Sequence, residues 1–401
     1  MIDQVKIKNY RSLADVDVRL GKLTVLVGRN GAGKSTFIDV LRFVRDALRF
    51  NLETAIDSRG GIATLCRWVP SGRPFDIEVG IDVQKDGHST NHAFTLARSP
   101  QDGYKIKREA ASGDYQTLTV NKQLDFVKLW KPFRLEIVNG KWCRGHLDPE
   151  FAGSKNHEAE ITADPHLLLL SGQSGWHQAL GGLRSELSNA NFYTIFPNTL
   201  RLPQKPSSET VLNDNGENLA SALKHIIAQD VWKADLILAM RKLVGDVIDI
   251  RVRSIGGYLV TEIKHQSSGK RDKWFELAQE SDGTLRMLGL LVALYQDPPP
   301  ALIAIEEPEL TIHPGALAIL SDILREASER AQIIVTTQSP DLVSYFKADE
   351  IQVVERVDGS TEIGPIDEVQ RAAINDHLFT SGELLRMEGL KRSISVGGIS
   401  A

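Results

Sequence analysis

Cysteine is nearly absent: Cys66 and Cys143 are the only two in 401 residues, and their surroundings are unrelated. Two thiols so placed build neither a zinc-ligand spacing nor a disulfide framework, so a reducing compartment is expected. Long apolar runs are missing too. Runs such as Leu167 to Leu170 fall far short of the roughly 20 residues that span a bilayer. The opening Met1-Ile2-Asp3-Gln4-Val5-Lys6 lacks the basic-then-apolar order of a secretory leader, which predicts a soluble cytoplasmic protein with no membrane partner. There is no excess of positive charge, since 47 basic side chains face 52 acidic ones for a net charge of −5. That excludes a chain coated in basic surface but admits a local basic groove. No heptad repeat of coiled-coil length and no internal repeat is visible.

What is present is a globular composition, 42% hydrophobic and 25% charged, in a chain long enough for two or three domains. Val5 and Ile7 alternate with Lys6 and Lys8, and Val16 and Val18 with Asp15, Asp17 and Arg19, as half-buried strands do. Leu23 to Val27 is a compact β-rich run stopped by Gly28. Beyond the glycines, Phe37, Ile38, Leu41, Val44 and Leu48 recur at helical spacing. The middle is irregular: a strand over Phe75 to Val83, short alternating segments to about Ile137, and loops between Gly153 and Gly216. A long helical stretch is expected from Glu217 to Val247, then strands at Val247 to Val252 and Gly257 to Ile263. From Glu276 a helix, the apolar strand Ala301 to Ile305, a helix through Leu317 to Ala327 and the apolar strand Gln332 to Thr336 predict a parallel sheet covered on both faces.

Four stretches carry chemistry. Gly28-Arg29-Asn30-Gly31-Ala32-Gly33-Lys34-Ser35-Thr36 satisfies G-x-x-x-x-G-K-[ST] between a strand and a helix. Its glycines let successive N–H groups of Asn30 to Thr36 face phosphates at the positive end of a helix. Lys34 would reach the β- and γ-phosphates of ATP, and the Ser35 hydroxyl would coordinate Mg²⁺. Ile305-Glu306-Glu307-Pro308-Glu309 ends an apolar strand in carboxylates; Glu306 is assigned to the metal and Glu307 to the attacking water. Ser281 and Gly283, just before a helix, can offer a hydroxyl and N–H groups to an anion, although taken alone the motif reads better as a helix cap. Thr336-Thr337-Gln338-Ser339-Pro340 puts polar groups at the carboxyl edge of a strand, where a plain turn is the alternative.

In this order the four stretches resemble the AAA-21-type ATPases of the ABC-like RecF, SMC and OLD branch. The resemblance covers Met1 to about Leu48 and Glu217 to about Phe346, with Ile7-Lys8-Asn9-Tyr10-Arg11-Ser12-Leu13 matching the usual opening and His313-Pro314 the element beyond the acidic strand. It implies an α/β fold, an ABC-type P-loop ATPase head with a mainly parallel covered sheet, an N-terminal antiparallel β subdomain and a mixed α/β insertion. The corresponding division is 1–85, 86–270, 271–365 and a tail 366–401. It further implies a head-to-tail homodimer that sandwiches two ATP molecules, with Ser281 and Gly283 as the signature. Glu306 stands where such ATPases usually carry Asp, and Gln338 where many carry His, which keeps a hydrogen bond but not a charge. OLD nucleases continue into a Toprim domain. Here about sixty residues follow Pro340, so any nuclease is expected to be a separate effector polypeptide. The role implied is sensor or clamp in anti-phage defence or genome maintenance, with a RecF-like repair ATPase or a slowly turning scaffold as alternatives.

Fainter features are a basic tint with aromatics (Lys105, Lys107, Arg108, Lys122, Lys128, Lys131, Arg134, Trp130, Phe133) and Lys264, Lys270, Arg271 and Lys273. Both admit nucleic acid, but solvated faces are the commoner reading of such stretches. His146, His157, His166 and His177 lack metal-ligand spacing, and Gly61 to Trp68 is a further segment that could link nucleotide to the insertion.

Overall fold

A computed structural model describes residues 1–68, 76–99, 103–120, 126–139, 141–146, 168, 170, 177–266 and 272–393. The chain forms two compact bodies. The first comprises 1–21, 29–190 and 354–364, and the second 22–28, 191–353 and 365–401.

In the first body the alternation read from the sequence is realised. Val5 and Ile7 of Ile2–Tyr10 are buried while Lys6 and Lys8 face out, and Leu13–Arg19 pairs antiparallel with it, Ile7 opposite Val16. The antiparallel part extends well beyond residue 85. Ile77–Lys85, His88–Arg98, Tyr104–Val120, Phe126–Val138 and Lys141–His146 follow in order as neighbours. The Asp86-Gly87 turn, with both φ values positive (52° and 82°), starts this meander with the geometry that suits the strand twist. The helix Lys34–Arg49 buries Phe37, Ile38, Leu41, Val44 and Leu48, the stripe its spacing predicts. Fully buried Phe37 and Phe43 each hold it by roughly 2–3 kcal/mol.

In the second body the strand order is 351–353, Leu23–Val27, Gln332–Thr337, Leu302–Glu306, 191–193. The pairings Ile333 to Leu23, Ile303 to Ile333 and Ile351 to Val25 are parallel. Leu23–Val27 is buried throughout, as a strand covered on both faces must be. A separate antiparallel sheet of Val247–Ile255, Tyr258–His265 and Lys273–Glu276 turns on Gly256-Gly257. The long helix expected from Glu217 to Val247 is two, Leu219–Ile227 and Asp230–Val244, and Val247 already starts a strand. The Gln229 N–H turns back to the Ile226 carbonyl, and Asp230 opens the new first turn, where a carboxylate favours the helix dipole. Among the described residues no helix is long and apolar enough to cross a membrane.

Candidate active site

The residues singled out in the sequence fall in both bodies. In the first, the phosphate-loop segment bends through Gly31 (φ 76°) and Gly33 (φ 114°), and the Ala32 N–H closes a turn on the Arg29 carbonyl at 3.1 Å. Arg29, Asn30, Gly31 and Ser35 are exposed, while Lys34 is buried, with its Nζ 3.2 Å from the Arg29 carbonyl oxygen. Gly33 cannot be replaced: a β-carbon there would lie 2.1 Å from the Thr361 Oγ1, on a backbone that disfavours side chains.

Thr361 is a contact that the sequence did not disclose. Its hydroxyl lies 2.8 Å from both the Ala32 carbonyl oxygen and the Ser12 hydroxyl. With its one proton donated to Ala32, it accepts from Ser12. The strand Ser360–Pro365 brings it there by pairing parallel at Leu13. Arg67, from the segment Gly61 to Trp68, donates to the neighbouring Ser360 hydroxyl at 2.7 Å. Thr361→Val is expected to cost about 1–3 kcal/mol in urea denaturation, because it strands a buried carbonyl, and Thr361→Ser to recover most of that.

A half-buried ion network fixes the helix behind the loop. Asp39 accepts from the Tyr10 hydroxyl at 2.7 Å and the Arg59 Nε at 2.9 Å, and pairs with Arg11 at 2.9 Å. Arg59 also reaches Asp46, seven residues further along the same helix, at 2.9 Å. Burial draws the Arg59 guanidinium down, but the two carboxylates and the Tyr10 phenol outweigh it and hold it above its ordinary value. Burial, reinforced by Asp39, pushes the Tyr10 phenol well above its ordinary range.

In the second body the Gly28 N–H faces the Thr337 carbonyl at 3.4 Å, so the strand that launches the phosphate loop ends beside Thr337. On the far side of Gln332–Thr337, Glu306 is in register with Thr336. The next residue, Glu307, is held in the left-handed region (φ 45°) by its N–H, which donates to the Thr336 carbonyl at 2.9 Å. Such a conformation costs a non-glycine residue on the order of 1–2 kcal/mol and is concentrated at functional positions. Gly28, Glu306, Glu307 and Gln338 therefore leave the carboxyl ends of three adjacent parallel strands, where ligands bind in sheets of this kind. Gln338 is exposed, and its neighbour Ser339 caps the helix Pro340–Val343.

Ser281 is the N-cap of Asp282–Leu294, its hydroxyl accepting from the Thr284 N–H at 3.1 Å. The cap reading of the sequence is thus realised, and exposed Ser281 still stands at the positive end of the helix. The helix is tied to the acidic loop: a β-carbon on Gly283 would lie 2.8 Å from the Thr311 carbonyl oxygen, and the Arg286 Nη2 donates to the Glu307 carbonyl at 3.5 Å. His313 caps the short turn Pro314–Ala316 through its Nδ1, which accepts from the Gly315 N–H at 3.1 Å.

Glu309, whose role the sequence left open, is turned inward. One carboxyl oxygen accepts from the Thr337 hydroxyl, and Oε2 is buried with no partner. Burial pushes this carboxyl above its ordinary 4.5, while the Thr337 hydrogen bond and Arg286 pull the other way. The folded state therefore binds the proton more tightly than the unfolded one, and stability falls as pH rises from 4.5 through the raised value. Glu309→Gln removes that loss. Its melting temperature relative to wild type is expected to climb between about pH 4 and pH 7, as thermal unfolding across that range will show.

The nucleic-acid readings fare unevenly. Lys107 pairs with Asp76, Arg108 with Glu136 and Lys264 with Asp272. Lys122, Lys270, Arg271, His157 and His166 lie outside the described residues, as do the side chains of Lys128, His146 and His177. Among the described residues no cluster of three metal-ligating side chains occurs.

Residues 182–344 match the family model described as "AAA domain, putative AbiEii toxin, Type IV TA system", and residues 1–160 the model described as "AAA ATPase domain". The chain is 46% identical over 44 residues to the OLD nuclease of Thermus scotoductus, a match spanning 11% of this chain and 8% of that protein. Its fold is similar to that of an SMC head crystallised with the C-winged helix domain of ScpA. The TM-score is 0.52 at 14% identity, over 93% of this chain and 99% of that one. The SMC head domain of Thermotoga maritima aligns with a TM-score of 0.43 at 14% identity, over 91% of this chain and 99% of that one.

Proposed function

We propose that the chain belongs to the RecF, SMC and OLD branch of the ABC-like P-loop ATPases and hydrolyses ATP as a homodimeric, nucleotide-driven switch. It would serve as the sensor subunit of a bacterial anti-phage defence or genome-maintenance system whose effector, such as a nuclease, is a separate polypeptide. The observation that carries the ATPase reading is the shared strand edge from which Gly28, Glu306, Glu307 and Gln338 emerge. The defence setting is supported by the toxin–antitoxin description of the matching family model and by the OLD nuclease relative.

The residues present fit a magnesium triphosphate. Gly31 has open space where a β-carbon would sit, the backbone from Asn30 to Thr36 runs into a helix N-terminus, and a cation and a hydroxyl follow in Lys34 and Ser35. Lys34 would neutralise charge on the terminal phosphates. Ser35 and Glu306 would hold Mg²⁺, which when bound offsets phosphate charge as the bond to the leaving group breaks. Glu307 would accept the proton of the attacking water on its carboxylate. Gln338 would orient that water or the γ-phosphate by hydrogen bonding alone. Ser281 and Gly283 would meet the nucleotide of the partner protomer, so that closure depends on both chains.

The discriminating experiment is an affinity pull-down of tagged Glu307→Gln from native cells, in which the ATP-closed form should accumulate. A stoichiometric effector enzyme supports the sensor reading. DNA alone, lost at high salt, moves the assignment to a repair ATPase. Turnover equal to wild type points to a scaffold.

A further inference from the structure

Ser281 follows a carboxylate that the hydrolytic chemistry leaves unused. The Glu280 side chain is only 8% exposed, and its Oε1 lies 2.8 Å from the His265 Nε2. That ring is 15% exposed, and its other nitrogen, Nδ1, lies 2.8 Å from the Asp246 Oδ1. A carboxylate only accepts, so the two bonds exist together only when both ring nitrogens carry a proton and the imidazole is charged.

The second body holds this ring from several sides. His265 ends the strand Tyr258–His265, Asp246 precedes the strand Val247–Ile255, and Phe275 of Lys273–Glu276 meets the imidazole edge-on with centroids 5.6 Å apart. Exposed Lys273 stands opposite His265 in the sheet register, and its like charge opposes protonation while Asp246 and Glu280 favour it. Burial draws the imidazolium down, but its hydrogen bonds to Asp246 and Glu280, with their charges, hold it above its ordinary 6.5. Glu280 itself is the hinge between the turn Leu277–Gln279 and the helix Asp282–Leu294. Its N–H donates to the Leu277 carbonyl at 3.2 Å, and its carbonyl accepts from Arg201 at 2.9 Å.

We propose that His265 is a positioning residue for Ser281: its charged ring anchors the Glu280 carboxylate, and loss of the ring proton releases the segment that presents Ser281 to a nucleotide. Release follows because a carboxylate so little exposed cannot stay in place without its partner. The folded state binds the ring proton more tightly than the unfolded one, so the anchor is complete below pH 6.5 and is lost as pH rises through the raised value. The effect on turnover rests on the ATPase reading; the anchoring does not.

The test compares full-length wild type, Glu280→Gln and His265→Phe between about pH 6 and pH 9, by amide hydrogen exchange across residues 280–284 and by ATP turnover. The amide introduced by Glu280→Gln donates to a neutral ring or accepts from a charged one, so its contact survives either protonation state. Relative to that variant, wild type should match at low pH. As pH rises it should exchange about tenfold faster and turn over about tenfold more slowly, the worth of one hydrogen bond to a charged group. His265→Phe keeps an aromatic ring against Phe275 and should show fast exchange and slow turnover at every pH. Its ATP affinity should stay at the wild-type value, since the phosphate loop belongs to the first body. Exchange in wild type that keeps a constant ratio to Glu280→Gln, or exchange in His265→Phe equal to wild type, overturns the proposal. So does exchange that responds to pH while wild-type turnover stays level with Glu280→Gln. Absence of turnover in all three proteins fails the ATPase reading instead, and exchange still decides the anchoring.

Discussion

Lys34→Ala is expected to weaken ATP binding about 100-fold or more without unfolding the protein. The Lys34 side chain is buried at the start of its helix, with the Nζ resting on the Arg29 carbonyl. Removing one partner of a buried charge pair costs roughly 2–5 kcal/mol, and each 1.4 kcal/mol is tenfold. The helix itself does not depend on this ammonium, since Phe37 and Phe43 pack it and Arg59 joins Asp39 to Asp46 along its length. Calorimetric titration should thus lose the ATP signal while the melting temperature without nucleotide stays close to wild type. ATP at a hundred times its dissociation constant should add about 2.7 kcal/mol of stability to wild type and almost none to the variant.

Glu307→Gln should do the opposite, keeping ATP and stopping turnover by at least about 100-fold, the usual contribution of a positioned general base. The substitution preserves length and hydrogen bonding. The fixtures at this position are backbone ones, the N–H to Thr336 and the carbonyl to Arg286, so geometry should persist while proton acceptance is lost. Rapid-quench measurement of phosphate release, with nucleotide affinity determined on the same sample, separates the two effects. A parallel fall in affinity would instead mean that Glu307 shapes the binding site.

The local pieces of the fold are legible in the chain. The G-x-x-x-x-G-K-[ST] run, the apolar strand before Glu306 and the stripe from Phe37 to Leu48 are each contained within a few turns or one strand, so pattern and propensity suffice. Thr361 is different. It meets Ala32 across 329 positions of sequence, and no periodicity announces such a meeting. Its hairpin has a signal in Asp358-Gly359, both at positive φ, but a turn signal names no partner for the strand that follows. Arg59 likewise sits in an unremarkable loop, and only the fold shows that it joins Asp39 to Asp46. The break after Ile227 has no glycine or proline to mark it, which is why one long helix was the natural reading. At the acidic edge, Glu306 and Glu307 are visible as strand-end carboxylates. That Glu309 turns inward onto Thr337 depends on a neighbouring strand and on burial, neither of which the spacing carries.

The central claim is ATP hydrolysis at this edge, and steady-state phosphate release by the purified protein tests it most directly. Magnesium-dependent release by wild type, reduced to background by both Lys34→Ala and Glu307→Gln, is the predicted result. Release by Lys34→Ala at the wild-type rate would contradict it.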